Sequence, residues 1–369
     1  MLTTMLIVYT FLIGILLLPL IYWEVPKVWF YLGFIDLIAI LSTFYFKGAN
    51  KEKTKNNYLK FILIIFLVAA VITSIVGYDF YKSIIGNYYR ADGLVTLLHF
   101  VGFSIIFGIL YKDQTVEKRL KLELYLSQAI FFSGVLSSIF NNFGQINFLV
   151  GFLLTTIPFG LFLFLRTKNI YLKAFYILGV LVNVIAILNA SSYVGILGLI
   201  LILPLFYIIK ENKKVGLFLF GAAVTISIFS ILYFKSINTS DNYVAESRIR
   251  IYRNVYVGSL NRFLTGYGWS NTDLAFSSVT WPMKFNNDVY VDKAHMQILD
   301  VFANMGIVGV LIYIVMNLYA IKILYKERQI FTNTLLLSLL MYFLYAQTNI
   351  TSISQEFIYW IIIGIATIL

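Results

Sequence analysis

Long apolar runs alternate with short charged knots along almost the whole chain. A bilayer crossing takes about 20 apolar residues, and runs of that order lie near 3–22, 28–46, 58–77, 94–111, 124–140, 146–165, 170–189, 192–209, 215–234, 296–321, 330–347 and 356–369. About twelve transmembrane helices are therefore predicted. One stretch breaks the rhythm: residues 235–295 turn polar before the chain becomes apolar again. The pattern predicts an all-α polytopic membrane protein, one integral domain over 1–369, with a single long extracytoplasmic loop, 235–295, between helices 9 and 10.

Composition agrees with the pattern. Sixty per cent of residues are hydrophobic and 12% are charged, whereas a soluble globular domain carries roughly a quarter charged residues. The cations set the orientation, since Lys and Arg in short loops stay on the cytoplasmic side. Of the 28 Lys and Arg residues, 18 fall in the knots after spans 2, 4, 6, 8 and 10. Only Lys27, Lys82 and Arg90 occupy short loops of the other face, and the rest lie in the long loop. Both termini are thus expected in the cytoplasm and the long loop outside, in a plasma membrane. The net charge of +11 reflects this topology; a nucleic-acid binder would gather its cations on one soluble face. There is no Cys, which excludes a disulfide framework and thiolate metal sites. The first span reads as an anchor and not as a cleaved signal, and neither end shows a lipidation motif.

Polar residues at membrane depth mark candidate chemistry, because they are costly there without a partner or a role. Asp36 in the second span is one, with either reading open. The outer loop 78–93 has an amphipathic, aromatic pattern suited to the membrane surface. It ends in Arg90, Asp92 and Gly93; Arg90 either snorkels to the interface or points into an outward cavity. His99 reads as a helix-packing polar group. The outer turn NNFGQIN clusters Asn141, Asn142, Gln145 and Asn147, amides that need protein or water around them. In the long loop, residues 246–263 follow helical spacing, with Ser247 as the cap and GYGW (266–269) as the break. Arg250 and Arg253 share one helix face and form a cationic cluster with Arg248, which serves either a ligand or anionic headgroups. Lys293, Gln297, Asp300 and Asn304 form one face of the tenth span, which has to line an outward cavity or pack on polar partners. Gly306 and Gly309 predict close helix packing just below.

Missing motifs narrow the chemistry. The outward loops hold no D-x-D pair and no His/Asp cluster of metal spacing; the chain has no G-x-S-x-G elbow and no P-loop. No cofactor and no metal are implied, and nucleotide phosphoryl transfer is disfavoured. Arginine forks bind phosphate oxygens bidentately, so a diphosphate suits the cluster, and guanidinium groups can compensate the charge that develops on a diphosphate leaving group. An acceptor hydroxyl needs a base of near-neutral pKa, and His295, at the head of the tenth span, has that chemistry.

The segment SRIRIYRNVYVGSLNRFLTGYG, followed by AHMQILDVFANMGIVGVL, resembles the core of the O-antigen ligase and O-antigen polymerase family, placed here over 190–315. Members transfer glycans from undecaprenyl diphosphate on the outer face of the bacterial plasma membrane, in a GT-C-like fold. The resemblance rests on Arg248, Gly266, Gly268, His295, Gly306 and Gly309. It implies that His295 is the base and Arg248 a diphosphate ligand, and it matches Arg90 and the amide turn to similar outer features. The chain departs from the family pattern at Met296, where Asn usually follows the His, and at Tyr193, where an Arg often stands. The first departure bears on acceptor positioning, and the second removes a cation.

The expected function is transfer of an oligosaccharide from undecaprenyl diphosphate to an acceptor hydroxyl. His295 is expected as catalytic base, Arg90, Arg248, Arg250 and Arg253 on the diphosphate, and Asn141, Gln297 and Asp300 supporting the site or the acceptor. The partners would be a lipid-linked glycan donor, a glycan or lipid-glycan acceptor and membrane lipid. A flippase for the same lipid-linked unit, using the same arginines, and a non-catalytic assembly partner are the alternatives.

Overall fold

The computed structural model describes residues 24–46, 58–140, 143, 145–211, 214, 215, 218, 221, 248–280, 290–327 and 329–369. Among them there are helices and connecting turns but no strand. In chain order the helices are α1 (Glu24–Phe46), α2 (Tyr58–Ile75), α3 (Phe80–Ile85), α4 (Leu94–Lys112), α5 (Val116–Phe140), α6 (Ile146–Arg166), α7 (Ile170–Asn189), α8 (Tyr193–Glu211), α9 (Arg248–Leu260), α10 (Thr272–Thr280), α11 (Gln297–Lys326), α12 (Ile330–Ala346) and α13 (Ile353–Ala366). Seven of them are long and apolar enough to cross a membrane, and α8, α12 and α13 contain shorter apolar segments. The spans predicted at 3–22 and 215–234 fall outside the described residues, isolated positions apart.

Helix α6 sits at the centre of the bundle, packed between α5, α7 and α12, and almost all of it is enclosed. Most of α12 and α13 is interior too. By contrast, α2 and α7 turn Ile64, Val68, Ile72, Leu178, Leu181 and Ile185 outward, the apolar surface that a lipid-facing helix presents. Helices α4 and α13 cross closely: a Cβ on Gly108 would stand 2.4 Å from the carbonyl oxygen of Gly364, and Ser104 Oγ donates to Trp360 O at 2.8 Å. Small residues and hydroxyl bonds replace the hydrophobic driving force that lipid removes. Asp36 lies within the span formed by α1, on a face that other helices do not cover, with its carboxylate 3.1 Å from His99 Nε2 of α4.

Gly306 does more than allow close packing. It breaks α11, adopting φ +65° and ψ −167° inside the helix, and the backbone it packs against is that of the polar loop at Leu264. The break frees backbone groups, which would be costly in the bilayer if unpaired, and the polar loop takes them up. Tyr267 N donates to Ala303 O at 2.8 Å, Gly268 N to Asn304 O at 2.9 Å, and Ile307 N to Phe263 O at 2.8 Å. Each of these bonds replaces one that an unbroken helix would make four residues along its own chain. Gly266 and Gly268 take positive φ there, and a Cβ on Gly266 would meet the Asn304 carbonyl carbon at 2.4 Å. The paired glycine motifs are therefore two halves of one joint.

Candidate active site

The polar loop contributes two helices where the sequence predicted one. α9 is described over Arg248–Leu260 and ends before the expected 263; the expected start at 246 and the cap Ser247 lie outside the described residues. After the turn at 261–271 comes α10, which the sequence did not foretell. The loop is fixed to the segment 78–93 by polar contacts. Lys82 Nζ pairs with Asp273 at 2.5 Å, Asn87 Nδ2 donates to Tyr290 Oη at 2.6 Å, and Trp269 Nε1 donates to Asp92 O at 2.8 Å. Arg262 serves this joint, donating to Val76 O at 2.9 Å and lying over the rings of Tyr78 and Tyr267.

Below the loop lies a cavity of about 120 Å³. Its polar lining comprises Arg90, Asp92, Lys293, Gln297, Asp300 and Glu356, and its walls include the aromatic side chains of Phe66, Phe100, Trp269 and Trp360. Arg90 therefore points into a cavity, held by Asp292 at 2.5 Å from its Nε and stacked over Phe148 at 5.5 Å. Lys293 pairs with Asp92, whose other oxygen accepts from Ser270 Oγ at 2.5 Å. Burial alone would raise the Asp92 pKa, but the Lys293 charge, the bonds from Lys293 and Ser270 and the Arg90 charge together hold it down to about 2. For Lys293 burial pulls the other way, and the Asp92 and Asp300 charges override it and raise the pKa. Both groups stay ionised, because each partner supplies the charge that desolvation would otherwise oppose.

The predicted stripe on α11 divides its work. Gln297 and Asp300 line the cavity, whereas Asn304 Oδ1 packs on the loop, accepting from Asn271 N at 3.0 Å and Thr272 Oγ1 at 3.2 Å. Asp300 Oδ1 accepts from Ala294 N at 2.8 Å and Thr272 Oγ1 at 3.0 Å, which fixes the backbone immediately before His295. His295 itself has φ +58°, a conformation uncommon for a residue with a side chain, and it lies between the cavity residues Lys293 and Gln297. Its carbonyl accepts from Tyr252 Oη at 3.5 Å. Tyr252 also bonds Arg248, and burial, partly offset by that arginine, raises its pKa.

Of the arginines on α9, Arg248 is tied to another part of the fold. Arg248 donates from Nη1 to Thr348 O at 2.6 Å and from Nη2 to Asn349 Oδ1 at 3.0 Å. It braces the turn that leads into the cavity residues Ile350 and Thr351. These two bonds, with the one to Tyr252, engage part of its set of five N–H donors. Arg250 is half-buried and Arg253 exposed on α9. Asn141 lies outside the described residues. Sequence reasoning named Arg90 and the stripe residues Lys293, Gln297 and Asp300, which the structure brings together around the cavity, but gave no site role to Asp92, Trp269 or Glu356. A carboxylate inside the last span was the available signal for Glu356. Among the described residues, no group of three or more His, Asp or Glu side chains is placed to hold a metal ion.

Residues 177–314 match the family described as O-Antigen ligase. The chain carries an O-antigen ligase domain. That domain runs from α7 through the polar loop to the break in α11, so it includes Arg248, Arg250, Arg253, His295, Gln297, Asp300 and both glycine motifs. Arg90, Asp92 and Glu356 complete the cavity from outside it. Comparison of the chain with curated proteins gave no match.

Proposed function

We propose that this protein is a polysaccharide polymerase or ligase that transfers an oligosaccharide from undecaprenyl diphosphate to an acceptor hydroxyl on the outer face of a bacterial plasma membrane. In this reading twelve spans place both termini in the cytoplasm and the 235–295 loop outside. The observation that supports the reading is the junction of the ligase domain with the cavity: His295 lies in sequence between the cavity-lining residues Lys293 and Gln297, and its carbonyl accepts from Tyr252 of the helix that carries three arginines.

The donor diphosphate is held at the cavity mouth by Arg90, Arg248, Arg250 and Arg253, Arg248 through the donors it does not spend on Thr348 and Asn349. His295 takes the proton of the acceptor hydroxyl. The oxygen attacks the anomeric carbon, a C–O bond forms, and the bond to the diphosphate breaks with its electron pair leaving on undecaprenyl diphosphate. Direct attack inverts the anomeric centre. Charge on the leaving group is met by guanidinium groups in a site of low dielectric, so the reaction runs without a metal ion. Gln297 and Asp300 support the acceptor side, and Asp300 also fixes the backbone that presents His295.

The test is a transfer assay with purified lipid-linked glycan, run with EDTA, comparing wild type with His295→Ala. Wild type should form product in EDTA. The variant should form none, while the lipid-linked unit is still displayed outside in cells. Loss of display would favour a flippase, and loss of wild-type activity in EDTA would refute the metal-independent mechanism.

A further inference from the structure

The lining of the cavity is not a cationic socket. Its two cations, Arg90 and Lys293, are engaged by Asp292 and Asp92, and two further carboxylates, Asp300 and Glu356, face the same space. A diphosphate entering among these carboxylates meets like charge, so the interior suits a neutral ligand with hydrogen-bond donors.

Glu356 stands in the first turn of α13. Thr351 Oγ1 donates to its Oε1 at 2.6 Å and Tyr342 Oη to the same oxygen at 2.7 Å. Neither of these bonds uses Oε2. On another wall, Tyr313 is buried and lines the cavity, yet its hydroxyl has no hydrogen-bond partner among the described residues. A buried polar group without a close partner is uncommon, and a ligand oxygen in the cavity would satisfy it. The same cavity is lined by the aromatic side chains of Phe66, Trp269 and Trp360. An acceptor-only carboxylate, an unspent hydroxyl and flat apolar faces together match a sugar ring, which offers hydroxyl donors and acceptors at its rim and C–H groups on its faces.

We propose that the cavity interior is a sugar subsite, in which Glu356 accepts from a hydroxyl of the acceptor glycan and the Tyr313 hydroxyl bonds a second sugar oxygen. The identity of the ligand as a glycan rests on the transfer reading above; the location and the two residues rest on the cavity. Neither residue belongs to the diphosphate machinery, so binding of the two ligands should separate.

Binding to the full chain in detergent tests this, with the fluorescence of Trp269 and Trp360 as readout. One probe is the oligosaccharide released by mild acid from the source bacterium's own lipid carrier; the other is undecaprenyl diphosphate. Wild type should bind both. Glu356→Gln keeps an oxygen for Thr351 and Tyr342 but loses the charge, and should weaken oligosaccharide binding about tenfold. Tyr313→Phe removes only the unpartnered hydroxyl and should leave the unfolding temperature unchanged or higher while weakening the oligosaccharide about threefold. Undecaprenyl diphosphate should bind both variants within about twofold of wild type. Unchanged oligosaccharide binding in the two variants, its absence in wild type, an equal loss of both probes, or a response to sodium or calcium salts in place of the sugar would each overturn the subsite. Failure of the transfer assay alone, with these binding results intact, would refute the enzymatic reading and leave the subsite standing.

Discussion

Asp92 and Lys293 pair inside the cavity wall, one from the loop before α4 and the other from the residues that lead to His295. The pair joins an N-terminal segment outside the ligase domain to the strip of chain that presents the proposed base. Its electrostatics make the first prediction. The Asp92 pKa is about 2 in the folded protein against an ordinary 3.8, so folding favours the ionised form. That stabilisation is fully present above pH 4 and is lost as pH falls toward 2. The unfolding temperature in detergent should drop over this window, and Asp92→Asn should flatten the drop. An equally steep drop in the variant would assign the acid sensitivity elsewhere.

Removing one partner of a buried pair leaves the other charge uncompensated, at a cost of about 3 kcal/mol. Asp92→Asn and Lys293→Met should each lower stability by that order at neutral pH, and the double variant should recover a large part of the loss. Thermal unfolding of the three variants checks it; additive losses would mean that the two side chains are not coupled.

Gly306 holds φ +65°, and a Cβ there would lie 2.3 Å from the Leu264 carbonyl carbon. Gly306→Ala should therefore cost more than the ~1 kcal/mol of an ordinary left-handed position, because the backbone it meets cannot swing aside. The expected result is a lower unfolding temperature with loss of transfer activity. Gly33→Ala, on α1 where no atom lies within 4 Å of the new carbon, is the control and should be nearly silent.

Arg248 makes two bonds to the turn between α12 and α13. Lysine keeps the charge but not the fork. Arg248→Lys should lose about 1.5–3 kcal/mol of stability with the missing bond and retain partial activity, while Arg248→Ala should be inactive. Full activity in the lysine variant would show that charge alone suffices there.

The spans were legible because lipid imposes a single rule, unbroken apolar helix, and runs such as 146–165 obey it without exception. Arg90, Gln297 and Asp300 were legible because a polar side chain at that depth advertises a cavity. The break at Gly306 was not, since GIVG satisfies helix packing and helix interruption equally well; the choice depends on whether a distant backbone arrives to take the freed carbonyls. The Lys293–Asp92 and Arg90–Asp292 pairs were hidden for a related reason. Each joins segments about two hundred positions apart, and a single sequence does not show which carboxylate a cation will meet. Helical spacing groups Arg250 with Arg253, but it does not show that the turn at Thr348 takes two bonds from Arg248.

The joint between 263–268 and 303–307 bears on how such a chain can be re-engineered. Since α11 borrows its hydrogen bonds from the polar loop, that loop is a splint for the helix and not a detachable lid. A graft that exchanges the loop with a relative's, to change which sugar is handled, has to carry the Gly306 segment with it; transplanted alone, it would leave a membrane helix with its spine unpinned.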